Sequence, residues 1–254
     1  MHGDGVAPAD PSGAFVLPEW PAPETIGALT TTRQGGHRLG PYGAFNLALH
    51  VGDEPRVVLA NRGALVSRLG LSRSPRWLDQ VHGARVIDAA DASADPEADG
   101  AWTSVLGVAC AVLTADCLPI LLCDRAGTRV AALHCGWRGI AKGVIAAGIA
   151  ALDHPPDGLL AWLGPAIGAG CYEVDGPVRD AFIGSSADLA EAFSPSRPGH
   201  SYLDLHRAAR VSLGRLGVRA VYGGGYCTYG EPDRFFSHRR DGTTGRMASL
   251  IWIR

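Results

Sequence analysis

The sequence predicts a mixed α/β fold: a mixed sheet, or two sheets, covered by helices. Three observations predict it. Short apolar runs of strand length recur through the centre, each bounded by turn residues. Three longer segments carry helical spacing, some with clear start and stop residues. The two kinds mix without the strict strand–helix–strand repeat of a parallel sheet.

Residues 1–13 are rich in Gly, Pro, Ala and Asp and lack the basic and apolar regions of a signal peptide, so a frayed tail is expected. Ile26–Thr32 reads as a strand, followed by turns at Gly35-Gly36 and Gly40-Pro41. Asp53-Glu54-Pro55 reads as a helix start, with Asp53 as cap and the proline in the first turn, where its missing N–H costs nothing. That helix runs to Leu69 with Val58, Leu65 and Leu69 on one face, and Gly70 stops it. Strands are expected at Trp77–Val81, Arg85–Asp88, Val108–Thr114, Pro119–Cys123, Val130–His134, Leu159–Leu163 and Ala220–Tyr222. Helices are expected at Arg138–Leu152 and Leu205–Leu216. No linker or repeat divides residues 14–254, which read as one catalytic domain.

The bulk composition bounds the function. A chain of 254 residues, 46% hydrophobic, can bury a full core. Lys plus Arg number 23 against 25 Asp plus Glu, a net charge of −2 that argues against a nucleic-acid partner. No apolar run is long enough to span a bilayer, so no membrane partner is expected. The six cysteines include no CxxC pair. A reducing, cytoplasmic compartment with buried thiols and a metal ligand fits them better than a disulfide framework.

Three potential ligands lie at predicted strand ends: His82 in Gln80-Val81-His82-Gly83, Cys117 in Ala115-Asp116-Cys117-Leu118-Pro119, and His134 in Leu133-His134-Cys135-Gly136. They are 35 and then 17 residues apart, so only the fold can bring them together. Taken singly, each is ordinarily a packed or surface residue. As a set, two imidazoles and a thiolate suit zinc, and three protein ligands leave a fourth position for water, whose pKa the metal lowers toward ~7. Cys135 alternates to the opposite strand face and is a poor fourth ligand. Cys110 and Cys123 belong to the core.

Around this trio stand weaker candidates. Asp116 can orient the site or shuttle a proton. Arg138 lies at a strand-to-helix junction, where free backbone N–H groups favour an anion. Arg239, Arg240 and Arg246 lie in a Gly/Thr-rich segment able to fork onto phosphate or carboxylate, unless it is simply a solvated turn. Arg33, Asn46, Gln80 and Tyr172 complete the expected substrate-facing set.

These segments together resemble the laccase-domain proteins, also described as YfiH-type purine nucleoside phosphorylases or peptidoglycan-editing factors. The resemblance runs from about Thr30 to Trp252. Its motifs are TTRQGG (31–36), NLALHVGD (46–53), DQVHG (79–83), TADCLP (114–119), LHCGWRG (133–139), LGPAIGAGCYEV (163–174) and FFSHRRDGTTGRMA (235–248). It implies a four-layer αββα fold, two mixed sheets sandwiched between helices. It also implies zinc on His82, Cys117 and His134. The implied chemistry is phosphorolysis of adenosine, inosine, guanosine and methylthioadenosine, with adenosine deamination. Purine nucleosides and phosphate are then the partners of a chain expected to be monomeric.

The laccase label can be tested physically. A multicopper oxidase needs about four coppers and roughly ten imidazoles, commonly as His-x-His pairs. The chain has nine histidines and no His-x-His. Four-copper oxidation is therefore rejected as the main function, while adventitious copper can still give weak polyphenol oxidation. A zinc hydrolase editing peptidoglycan precursors, metal-free Cys–His catalysis by Cys117 and a non-enzymatic role are the other readings.

Overall fold

The computed structural model describes residues 13–36, 40–91, 93 and 96–254. The expected N-terminal tail therefore lies outside the described residues except for Gly13.

Two large sheets are stacked face to face. The first runs β1 (Phe15–Val16), β2 (Ile26–Thr31), β13 (Met247–Ile253), β5 (Ala109–Thr114), antiparallel throughout. The second runs β12 (Ala220–Gly223), β8 (Leu159–Leu163), β6 (Leu118–Asp124), β7 (Val130–Cys135), β4 (Gly100–Thr103), β3 (Val86–Asp88). Its outer pairs, β12–β8 and β3–β4, are parallel and the inner ones antiparallel. A small antiparallel sheet adds β9 (Glu173–Asp175), β10 (Phe193–Pro195) and β11 (His200–Leu203).

Side-chain alternation along these strands makes three apolar layers. Leu121 and Cys123 of β6, Val130 and Ala132 of β7, and Leu160 and Trp162 of β8 point between the sheets, where they meet Cys110, Val112, Met247 and Ile251. Their neighbours Leu118, Ile120, Leu122, Ala131, Leu133 and Cys135 point outward. There they pack under α2 (Trp137–Lys142), α3 (Val144–Leu152), α4 (Gly176–Ser185) and α5 (Leu205–Arg215). On the far side, Leu29, Ala111, Leu113 and Leu250 lie under Leu65 of α1 (Pro55–Leu69). The result is the expected stack of helix, sheet, sheet and helix. One refinement concerns the first sheet, which is antiparallel rather than mixed.

Besides β1, β4, α4 and the small sheet, where no element is expected, the structure departs from expectation in four places. Trp77–Val81 is not a strand; it makes one isolated bridge, Asp79 to Glu97, and Arg76 just before it makes another, to Cys110. The Gln80 side chain, bonded to both the N–H and C=O of Leu113, stands in for a paired strand at that edge. The helix expected over Arg138–Leu152 is two helices, because Gly143 adopts φ 90° and breaks the ladder. At the start of α1 the cap position is Glu54. Asp53 sits one residue earlier and accepts the Glu54 N–H while holding Asn46. Finally, β13 carries no turn signal or polar alternation because all seven residues are buried, and it occupies an inner position of the first sheet.

A candidate metal centre and its arginine rim

The antiparallel register sets the site. Pro119 pairs with His134, and Leu133 with Gly100, which in turn pairs with Val86. The start of β6, the end of β7, the start of β4 and the approach to β3 therefore share one end of the sheet. Cys117, His134, Asp99 and His82 stand at those four places. The ligand atoms of His82, Cys117 and His134 all lie within 4.8 Å of one another, so the group can hold a metal ion. The Cys117 Sγ is 3.9 Å from His82 Nε2, and the two imidazole rings meet edge to face at 4.8 Å.

Two backbone features create this convergence. His82 (φ 57°) and Asp116 (φ 88°) hold left-handed conformations that cost a non-glycine residue on the order of 1–3 kcal/mol each. Hydrogen bonds over-determine both. The fully buried Asp99 carboxylate accepts the backbone N–H groups of Val81, His82 and Gly83, at 3.2, 3.0 and 2.6 Å. Asp116 accepts the Thr228 hydroxyl and the Arg239 N–H, both at 2.6 Å, while its own C=O takes the Ile167 N–H. At Gly136 a Cβ would sit 2.9 Å from the Cys117 sulfur and 3.1 Å from the His82 ring, so only glycine leaves the pocket open.

Asp99 also bonds His134 Nδ1 at 2.8 Å. The bond places that proton on Nδ1 and leaves Nε2 to face the cluster, the arrangement found in carboxylate–histidine–metal sites. Burial by itself would raise the Cys117 thiol, but the His134 imidazole, aided by His82, brings it down to about 6. Burial by itself would lower His134, but the Cys117 sulfur and Asp99 carry it up to about 9. Without a metal the two form a thiolate–imidazolium pair. That is a preformed soft donor set, and it fits zinc or another thiophilic ion.

The other candidates separate into two groups. Tyr172 is pushed up to about 12 by burial and the Cys117 sulfur, against the pull of Arg239 and Arg138. Arg246, lowered by burial, feels Cys117 and Asp116. These groups thus share one electrostatic neighbourhood. Arg138 is exposed, stacks on Trp137 at 4.4 Å, and has no hydrogen-bond partner among the described residues. Arg239 lies over the Tyr172 ring at 4.9 Å and gives one nitrogen to the Glu173 C=O. Arg246 gives one nitrogen to Thr244 and Gly245.

The remaining expected residues are committed inside the protein. Arg240 directs its donors to both Asp241 oxygens and to the Thr228, Tyr229 and Phe235 carbonyls. Arg33 bonds the Gly43 and Pro232 carbonyls and stacks on Phe236. Asn46, fully buried, joins Ala48, Asp53 and the Arg246 N–H. The Gln80 amide is taken by Leu113. Sequence reasoning missed Asp99 and Thr228. Asp99 precedes a glycine and reads as a turn, and nothing in its spacing signals a partner 35 residues away.

Comparison with known proteins agrees with this architecture. Residues 27–254 match a family model described as multi-copper polyphenol oxidoreductase laccase. A purine nucleoside phosphorylase of Pseudomonas aeruginosa is 52% identical, covering 94% of this chain and 98% of the relative. The purine nucleoside phosphorylase YfiH of Escherichia coli is 46% identical over the same shares. The crystal structure of a Neisseria meningitidis protein, NMB0706, superposes with a TM-score of 0.91 at 48% identity, covering 94% of this chain and 99% of that one. A Bacillus licheniformis YfiH structure, 30% identical, gives 0.88, covering 96% and 98%. The chain is therefore a member of the laccase-domain family of YfiH-type proteins.

Proposed function

We propose that this protein is a zinc-dependent purine nucleoside phosphorylase acting on adenosine, inosine, guanosine and methylthioadenosine, with an accompanying adenosine deaminase activity. The observation that carries the reading is the His82–Cys117–His134 trio, oriented by Asp99 and rimmed by arginines with unused donors. The curated relatives named purine nucleoside phosphorylase support the substrate class.

His82, Cys117 and His134 are the residues that would hold the zinc, which when bound supplies Lewis-acid polarisation of a substrate oxygen or nitrogen. Arg138, Arg239 and Arg246 receive phosphate, and their planar forks suit its oxygens. Phosphorolysis forms a bond from a phosphate oxygen to the sugar C1′ and breaks the bond from C1′ to the base nitrogen, which takes up a proton. The protein brings the two reactants together, and its cationic rim stabilises the phosphate oxygens. Asp116 acts by position, since both its oxygens hold the segments that carry Thr228 and Arg239.

Zinc is favoured over copper. A Cys-bound electron-transfer copper takes a weak axial ligand, commonly methionine. Met247 is fully buried between the sheets, with its sulfur taken by the Phe236 N–H. Among the described residues His82, Cys117 and His134 form the single metal-competent cluster, too few ligands for four coppers.

The test is incubation with inosine or adenosine and phosphate, with and without a chelator. Free base and ribose-1-phosphate in the untreated sample alone support the reading. Product that is indifferent to the chelator, or no product from any nucleoside, overturns it.

A further inference from the structure

Two half-buried cysteines take no part in the metal centre. Cys171 ends the short turn Ala169–Cys171, and Cys227 lies 56 residues later, bridged to Ala166. Their sulfurs are 4.0 Å apart. The Cys227 sulfur accepts two backbone N–H groups, from Gly168 at 3.2 Å and Gly230 at 3.3 Å. These two N–H groups point at the sulfur that would carry negative charge when it reacts as a nucleophile. A Cβ on Gly168 would sit 2.9 Å from that sulfur, so the chain closes on it only because residue 168 has no side chain. Burial and the neighbouring Cys227 hold the Cys171 thiol up, which marks Cys171 as the second thiol to react.

We propose that Cys171 and Cys227 form a redox modification site, a dithiol that a hydroperoxide closes to a disulfide beside the metal centre. In the first step the Cys227 thiolate attacks one oxygen of the hydroperoxide. An S–O bond forms, the O–O bond breaks, and the departing oxygen takes a proton, leaving Cys227 as the sulfenic acid. In the second step the Cys171 sulfur attacks the Cys227 sulfur. The S–S bond forms, the S–O bond breaks, and water leaves with the Cys171 proton. The two cysteines lose two electrons and the hydroperoxide gains them.

The crosslink would join two segments at the metal centre. Tyr172 follows Cys171, and Thr228, which bonds Asp116 beside Cys117, follows Cys227. The two sulfurs, 4.0 Å apart, must close to about 2 Å to bond.

The test treats the zinc-loaded protein with hydrogen peroxide, then counts thiols after denaturation with a chelator and maps crosslinked peptides. The expected result is a fall from six thiols by the two joined, a peptide linking 171 to 227, and full recovery with a dithiol reductant. In Cys171→Ser the link cannot form, and a sulfenic-acid probe should label Cys227. Oxidation that falls elsewhere while Cys171 and Cys227 stay reduced overturns the proposal, as does failure of the probe to label Cys227 in the variant. These readouts do not depend on which reaction the metal centre runs.

Discussion

The metal trio and the arginine-rich segment at 235–246 invite comparison, because both concentrate chemistry-bearing side chains and the fold treats them oppositely. The trio is scattered along the chain, yet register and a single carboxylate gather it with its ligand atoms facing one another. The arginines lie within eight residues of sequence, yet they diverge. Arg240 is bound up with Asp241 and three carbonyls, while Arg239 and Arg246 keep donors for a ligand. A residue type sets what a side chain is able to bind. Whether that capacity survives folding depends on what else is near enough to use it.

The largest expected effect comes from breaking the trio. Cys117→Ala and His134→Ala should each abolish stoichiometric metal and nucleoside turnover together, read by metal analysis and product assay, while the circular dichroism spectrum stays native. Retained metal in either variant would dissolve the contrast at its strong end.

Asp99→Asn comes next. The amide cannot serve both the imidazole and three backbone N–H groups, so metal affinity should fall by about 10–100-fold in a competition titration. Removing a buried charge from its partners should also lower stability by roughly 3–5 kcal/mol. Unchanged affinity would show that register alone holds the ligands.

The arginines sharpen the comparison directly. Arg246→Ala should raise the KM for phosphate by about tenfold or more, the equivalent of one charged hydrogen bond of ~1.5–3 kcal/mol, with little change in Tm. Arg240→Ala should do the reverse: a lower Tm, because its five bonds tie the 228–241 segment together, and a nearly unchanged KM. Equal effects on KM would erase the distinction.

The smallest effect is in thiol reactivity. In metal-free protein near neutral pH, alkylation should reach Cys117 before Cys123, which burial pushes up to about 12, or Cys110 and Cys135, which it raises further. The Cys117 thiolate should titrate near pH 6 by ultraviolet absorbance. The linkage signs offset one another. The depressed thiol contributes stability that is lost as pH falls through about 6, and the raised imidazole contributes stability that is lost as pH rises through about 9. Between them the folded and unfolded chains bind nearly the same number of protons, so this pair should give little pH slope in stability. His134→Ala should move the thiolate titration upward.

Elements whose signals are local could be read before folding was considered. Apolar runs ending at Asp, Gly or turn residues gave β3, β5, β6, β7, β8 and β12 to within a residue or two, and Pro55 and Gly70 bounded α1. The sequence also picked out His82, Cys117 and His134, whose side chains the fold brings close enough to hold a metal ion. Packing in three dimensions settled the rest. It made β13 an inner strand, although that segment has no alternation to read, since both its faces are buried. It left Arg138, Arg239 and Arg246 with free donors and closed off Arg240, Asn46 and Gln80. It recruited Asp99, which no spacing could single out. The physical reason is the same each time: a hydrogen bond is satisfied by whatever group arrives within about 3 Å, and arrival at that range is fixed by strand register and packing, not by distance along the chain.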